Sequence, residues 1–214
     1  MQKIRNLYLL LEQSGLTAID RGPGAAHGTL SANVSHLVYE NPPGTVQGYK
    51  GVIIAASLSR IVSTAAAGFN TTEGSIEMLV KPSWNYDDGI CHFFFDTYEG
   101  ANKRFSLFKW TDGTTRVRVQ DTDCGNFTYT WAANTTYHVV VNWGANQLYI
   151  NKVLEHTFTP MSLGAGAANL YIGDYHNQVN YAFNGNIYYF ITRDVPLSLD
   201  EIVEYYNFFT NQYV

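Results

Sequence analysis

The sequence predicts an all-β protein of two packed antiparallel sheets with a short C-terminal helix. Three observations predict it. Apolar or alternating runs of roughly four to eight residues recur and stop at glycine, asparagine or aspartate. Aromatic residues reach 15%, led by 16 tyrosines and 12 phenylalanines, which suits pleated, half-buried strands. No stretch between residues 20 and 195 carries a helical apolar period, which disfavours α/β folds. With 214 residues, 46% of them hydrophobic, the chain can bury one large core and is short for two, so 1–214 is expected to form one domain.

Taken in order, Met1 to Leu11 carries two cations and a short apolar run. Glu12 interrupts the run and no small-residue cleavage site follows, so it reads as a first strand rather than a signal peptide. Further strands are expected at Gly51 to Ala55, Ser75 to Val80, Cys91 to Thr97, Phe105 to Trp110 and Thr115 to Gln120. Phe127 to Trp131, Tyr137 to Trp143, Gln147 to Ile150, Leu170 to Ile172 and Ile187 to Thr192 continue the series. Thr111-Asp112-Gly113-Thr114 and Trp143-Gly144-Ala145-Asn146 read as hairpin turns. Gly44 to Gly51 and Met161 to Asn169 are glycine-rich loops. Pro196 to Asn207 offers Ser198 followed three residues later by Glu201, then apolar residues at helical spacing, which predicts the terminal helix.

A net charge of −5 and the absence of any lysine- or arginine-rich run exclude a nucleic-acid partner. The apolar stretches are much shorter than the roughly 20 residues of a membrane helix, so no membrane insertion is expected. Cys91 and Cys124 lack metal-knuckle spacing and read as two free thiols. Asn33, Asn70, Asn126 and Asn134 each begin a glycan-acceptor triplet, read here as turn chemistry.

The order of these segments resembles the concanavalin A-like, laminin-G-like jelly-roll domains from about Asp20 to Asn207. Asp20-Arg21-Gly22-Pro23-Gly24 and His27-Gly28-Thr29-Leu30 are similar to the family's opening turn and strand, and Ser75 to Pro82 to its strand ending in lysine-proline. Tyr137 to Trp143 with Leu148 to Leu154, Leu170 to Gly173, Phe183 to Ile191 and Pro196 to Ile202 follow in the family's order. The resemblance implies a two-sheet jelly-roll sandwich and no particular function, since the architecture hosts lectins, glycanases, adhesion modules and virion proteins. Relatives with a structural calcium carry an aspartate where this chain has Tyr188-Tyr189, which implies loss of that site.

Glycanases of this architecture place paired carboxylates along one strand face. The nearest string, Phe94 to Glu99, has Phe94 where the nucleophile would stand, so no enzymatic activity is expected. There is no nucleophile elbow, and the six histidines are scattered, with His138 read as a satisfied strand histidine. Asp87-Asp88 and Asp121-Thr122-Asp123 could hold calcium through loop oxygens, yet aspartates in turns commonly bond their own backbone, so no cofactor is expected.

Two polar-aromatic loops remain as candidate ligand sites. One contributes Trp84, Tyr86, Asp87 and Asp88; the other contributes Tyr175, His176, Asn177 and Tyr181. Such rings and polar groups suit a sugar or a protein partner equally well. Few charges, many tyrosines, aromatic ends and no export signal favour a non-enzymatic virion surface or decoration component. On that expectation it attaches to a protein shell and to copies of itself as a homo-oligomer, and is intracellular before assembly or lysis. A carbohydrate-binding lectin-like module that takes a surface glycan is the alternative, and a glycan hydrolase the third.

Overall fold

The computed structural model describes residues 4–8, 17–23, 26–31, 34–40, 49–54, 60–64, 68–100, 103–159, 162–163, 169–177 and 181–211. Most of the two expected glycine-rich loops, the ends of the expected first strand, Asn33 and residues 178–180 lie outside these. Among the described residues, strands form two eight-stranded antiparallel sheets that share one core. The first sheet runs β14 (Val153–Thr157), β13 (Gln147–Ile150), β12 (Tyr137–Trp143), β7 (Gly74–Pro82), β16 (Gly185–Arg193), β5 (Tyr49–Ile54) and β4 (Val34–Glu40). β1 (Ile4–Tyr8) pairs with the C-terminal part of β16. The second sheet runs β11 (Thr122–Thr128), β10 (Thr114–Val119), β9 (Arg104–Lys109), β8 (His92–Tyr98), β15 (Asn169–Ile172), β6 (Ile61–Ser63), β3 (Gly28–Leu30) and β2 (Thr17–Ala18).

Both expected hairpins form, and the ten expected strands correspond to observed ones with one displacement. Phe127 to Trp131 is only partly strand, because β11 begins earlier, at Thr122. Its turn is Gln120-Asp121, with φ of 50° and 58°, a pair of left-handed residues that lets β10 double back at once. Asp121-Thr122-Asp123 is therefore a hairpin tip and not an open loop. The strands β2, β4, β6 and β14 had no clear signal in the sequence.

Ile76, Met78 and Val80 of β7 and Val139 and Val141 of β12 face Phe95, Phe105, Leu107 and Val117 of the second sheet across the core. Full burial of each such side chain stabilises the fold by about 1.5–3 kcal/mol. Trp131 and Trp143 sit in this layer with their polar handles satisfied, Trp131 by Thr115 Oγ1 at 2.8 Å and Trp143 by the Asn70 carbonyl at 2.8 Å. Gly74 is required by close approach: a Cβ there would lie 2.1 Å from the Trp143 ring.

The outer face of the first sheet is covered by α1 (Leu199–Asn211), capped as the sequence predicts. The Ser198 amide donates to Glu201 Oε2 at 2.9 Å, and the Glu201 amide lies 3.4 Å from Ser198 Oγ. Val140, Tyr149, Leu197 and Ile202 form the apolar contact, with Tyr205 packed on it. Asn142 fixes the approach to the helix by donating to the Leu197 carbonyl at 2.8 Å and accepting from the Leu197 amide at 3.0 Å. This cover explains why all seven residues of β12 are buried.

Beneath the helix lies an ionic cluster. Glu77 accepts from Arg193 Nη2 at 2.6 Å and from the Tyr189 hydroxyl at 3.1 Å, and His138 Nε2 lies 2.8 Å away. Burial alone would raise the Glu77 carboxyl, but the His138 hydrogen bond and the Arg193 charge outweigh it and hold it below its ordinary value. His138 is thus a buried sheet-face histidine, as its position in a strand suggests, but only half satisfied: Nε2 meets Glu77 while Nδ1 has no hydrogen-bond partner among the described residues.

Candidate functional site

Alternation sends one set of side chains outward from the second sheet. In β10, Thr115, Val117 and Val119 are buried while Thr114, Arg116 and Arg118 are not. Antiparallel register aligns the outward positions, so Thr29, Val62, Tyr171, Asp96, Ser106 and Arg118 stand opposite one another in a row across six strands. Asn169, Tyr98 and Arg104 form part of the next row. This face carries polar, cationic and aromatic groups where the corresponding face of the first sheet carries a helix.

Most of its charges are neutralised in place. Arg104 Nε bonds Asp96 at 3.0 Å and its Nη1 bonds Asp121 at 2.8 Å. Arg116 bonds Asp112 at 2.6 Å and Asp123 at 3.0 Å, and Arg118 bonds Asp123 at 2.6 Å. Of the oxygens that the sequence offered to calcium, both of Asp123 and one of Asp121 are occupied by guanidinium groups. Asp96 is fully buried, and its second oxygen also lies 2.7 Å from His176 Nδ1. A carboxylate held in this way is an anchor for the face, not a free base.

At the β3–β6–β15 end of the face is a groove of about 390 Å³, lined by His27, Thr29, Ser31, Arg60, Val62 and Asn169 among others. That volume lies within the range of small-molecule sites. Arg60 is positioned by two bonds from its Nη1, to the carbonyls of Tyr175 at 3.1 Å and His176 at 2.9 Å. Its guanidinium carbon sits 4.9 Å from the centre of the Tyr171 ring. The Tyr171 hydroxyl is 3.4 Å from Asn169 Nδ2. His27 Nδ1 accepts the Asp20 amide at 3.1 Å, so the ring hydrogen resides on Nε2 as a donor.

The two loops singled out in the sequence meet each other, but through buried bonds. The Ser83 amide donates to the Asn184 carbonyl at 3.0 Å, the Trp84 indole donates to the Phe183 carbonyl, and His92 Nδ1 lies 2.9 Å from the Ala182 carbonyl. Trp84 is 4% exposed and stacks on His92 at 4.4 Å, so it is a core side chain and offers no open ring to a ligand. Tyr86 packs against the core and Asp87 is exposed. The Asp88 carboxylate joins Lys109 to His92, the latter at 2.7 Å. Burial works to raise Asp88, yet the bonds from Lys109 and His92 prevail and lower it. A cation at Asp88 would have to displace the fully buried ammonium of Lys109.

Tyr175 and Tyr181 are half-buried over Phe93, an outward residue of β8 that they cover together with Trp110. The His176 ring is stacked on Tyr98 at 3.5 Å, and Asn177 is exposed. The second loop therefore reaches the groove mainly through the carbonyls of Tyr175 and His176 that hold Arg60. Sequence reading missed Arg60, His27, Thr29, Asn169 and Tyr171. The signal available was the strict alternation of strands such as Thr-Arg-Val-Arg-Val, which assigns the polar residues to one outward face.

Residues 57–203 match the concanavalin A-like lectin/glucanases superfamily. The chain belongs to that superfamily. A search of curated protein sequences finds no match. Among solved structures, this superfamily member is similar to Trypanosoma rangeli sialidase, with a TM-score of 0.68 and 14% identity over 95% of this chain and 32% of that one. It is similar to the receptor-binding domain of botulinum neurotoxin C/D mosaic serotype, with a TM-score of 0.69 and 12% identity over 96% of this chain and 51% of that one. Domain 4 of AbnA, an extracellular arabinanase from Geobacillus stearothermophilus, solved with arabinotriose, gives 0.69 and 17% identity over 95% of this chain and 98% of that one. The chain thus spans about a third of the sialidase and half of the toxin domain. At these identities the likeness concerns the fold.

The expectation of a virion decoration component is corrected by these neighbours, which are a sialidase, a toxin receptor-binding domain and a sugar-bound arabinanase domain. The physical premise fails as well. Tyr137, Tyr149, Tyr188 and Tyr189 are buried, and Tyr205 packs back on the first sheet. Much of the aromatic content serves this chain's own interior and is not surplus docking surface.

Proposed function

We propose that this domain is a non-catalytic carbohydrate-binding module whose saccharide lies in the groove on the outer face of the second sheet. The observation that carries the reading is the groove itself: polar groups of His27, Thr29, Ser31, Arg60 and Asn169 line it beside apolar Leu30 and Val62, and Arg60 and Asn169 each contact the Tyr171 side chain behind them. Sugars are recognised by such a combination, with hydroxyls taken by fixed polar groups and C–H faces laid against apolar or aromatic surface. The arabinotriose-bound neighbour, matched over nearly its whole length, supports the reading at the level of fold.

Absence of catalysis rests on the carboxylates. Glycoside cleavage requires an acid and a second carboxylate about 5–10 Å away, and among the described residues no aspartate or glutamate lines the groove. A glycan array followed by calorimetric titration tests the proposal. Binding to a defined saccharide class, weakened at least tenfold by Tyr171→Ala with unchanged circular dichroism, is the expected result. No binding across the array, or binding indifferent to Tyr171→Ala and Asn169→Ala, would remove the groove from consideration. Turnover of a bound glycan would refute the non-catalytic part.

A further inference from the structure

We infer that the groove selects acidic saccharides, those bearing a carboxylate or sulfate, over neutral ones, and that Arg60 determines this selection; the inference rests on the groove being the saccharide site.

Four of the seven arginines, Arg60, Arg104, Arg116 and Arg118, belong to the outer face of the second sheet. Three of them are tied to aspartates. Arg60 has no carboxylate partner among the described residues; its side-chain hydrogen bonds there are to two backbone carbonyls and use one of its three nitrogens. Two guanidinium nitrogens therefore remain for a ligand, while the carbonyls and the Tyr171 ring hold the group in place. A pre-positioned guanidinium is the side chain best matched to a carboxylate or sulfate.

Primary structure makes this cation hard to neutralise from within. The groove is lined from within residues 27–31 and 60–64 and by residue 169. The sequence around them holds no aspartate or glutamate within 21–39, 41–72 and 156–173, although the whole chain is net −5, and the carboxylate of neighbouring Asp20 accepts from the Gly22 and Ala26 amides. The same stretches contain Arg21, Lys50 and Arg60. His27 adds an Nε2–H donor and Asn169 an amide, so among the described residues the groove is rich in donors and lacks anionic acceptors. A neutral sugar needs both donors and acceptors for its hydroxyls, as an Asp or Glu would provide. An acidic substituent needs donors and positive charge, which is what the lining offers.

The test uses the full chain and matched ligand pairs: oligogalacturonate against its methyl ester, and carboxyl-esterified chondroitin sulfate oligosaccharide against the same ester desulfated. Calorimetry is run at low and physiological salt. The charged member of at least one pair is expected to bind tenfold or more tightly than its neutral counterpart, with affinity falling as salt rises. Which pair responds tells carboxylate from sulfate. Arg60→Gln should abolish the difference, and Arg60→Lys should restore part of it. Should Arg60→Gln fail to fold, Thr29→Asp places a carboxylate at an exposed groove position and should suppress acidic ligands selectively. Equal binding of charged and neutral members, or a charge preference that Arg60→Gln leaves unchanged, overturns the acidic selection by Arg60 and leaves the carbohydrate reading intact. Binding of no saccharide, charged or neutral, overturns both.

Discussion

Removal of Arg193 tests the physics of the face beneath the helix. Its Nη2 is 2.6 Å from Glu77 Oε2, and the two side chains are 2% and 0% exposed. Arg193→Met leaves Glu77 buried with only His138 and Tyr189 for compensation. Breaking one member of a buried pair costs about 3–5 kcal/mol, mostly as the penalty on the abandoned charge. For a chain of this length that corresponds to a fall in Tm of about 6–20 °C. The assay is urea unfolding followed by tryptophan fluorescence, since Trp84, Trp131 and Trp143 are buried reporters. Adding Glu77→Gln removes the stranded charge and should return at least about half of the loss, a coupling expected of contacting residues. A single variant within about 1 kcal/mol of the parent, or a double variant no better than the single, would refute the account.

Glu77 and Asp88 both lie below their ordinary values of 4.5 and 3.8 in the folded chain. The unfolded chain therefore takes up these protons first, so their stabilisation is complete above about pH 4.5 and is lost as pH falls through the lowered native values. Burial also lowers the His92 and His156 rings from 6.5, so unfolding free energies measured from pH 7 to pH 3 should decline first below about pH 6.5 and again in that acid window. Asn142→Ala strips both backbone partners from buried Leu197 and should cost about 1–3 kcal/mol, with hydrogen exchange fastest to rise in α1. Burial raises the Cys91 thiol and pushes Cys124 up to about 11, so neither should react with a thiol reagent at pH 8 without denaturant, and rapid native labelling would contradict this.

The sequence made the sandwich legible because its strongest strands are bounded by chemically explicit turns such as Asp112-Gly113, and because Ser198 and Glu201 spell out a capping box. β6 and β2 escaped notice because three- and two-residue strands carry too few positions for alternation to register. β14 escaped because it is an edge strand whose Val153 and Leu154 are exposed, so its apolar pattern does not mark an interior face. For the site, the aromatic loops drew attention by residue type alone. Whether a tryptophan is a platform or a strut depends on what lies against it. Only the fold puts His92 and Phe183 on Trp84, and only strand register brings Arg60, from a short unrecognised strand edge, beside Tyr171.

The two sheets should also differ in what their outward residues tolerate, and this follows from where the helix lies. On the first sheet, outward Leu79, Val140 and Asn142 are at most 1% exposed, because α1 and its neighbours close over them. A polar or charged replacement at Leu79 or Val140 would bury an unpaired group, at a cost of several kcal/mol. On the second sheet, outward Thr29, Arg116 and Arg118 retain solvent contact, and replacements at such positions change stability by about 0.5 kcal/mol or less. Selection on those positions is then free to follow ligand binding. A saturation library sorted separately for folding and for saccharide binding should give two distinct maps. Folding should be lost by substitutions at Leu79, Val140 and Asn142, and binding at Thr29, Arg60, Asn169 and Tyr171. If the groove positions prove as intolerant for folding as the helix-covered ones, the outer face of the second sheet is structural, and the assignment of binding to it fails.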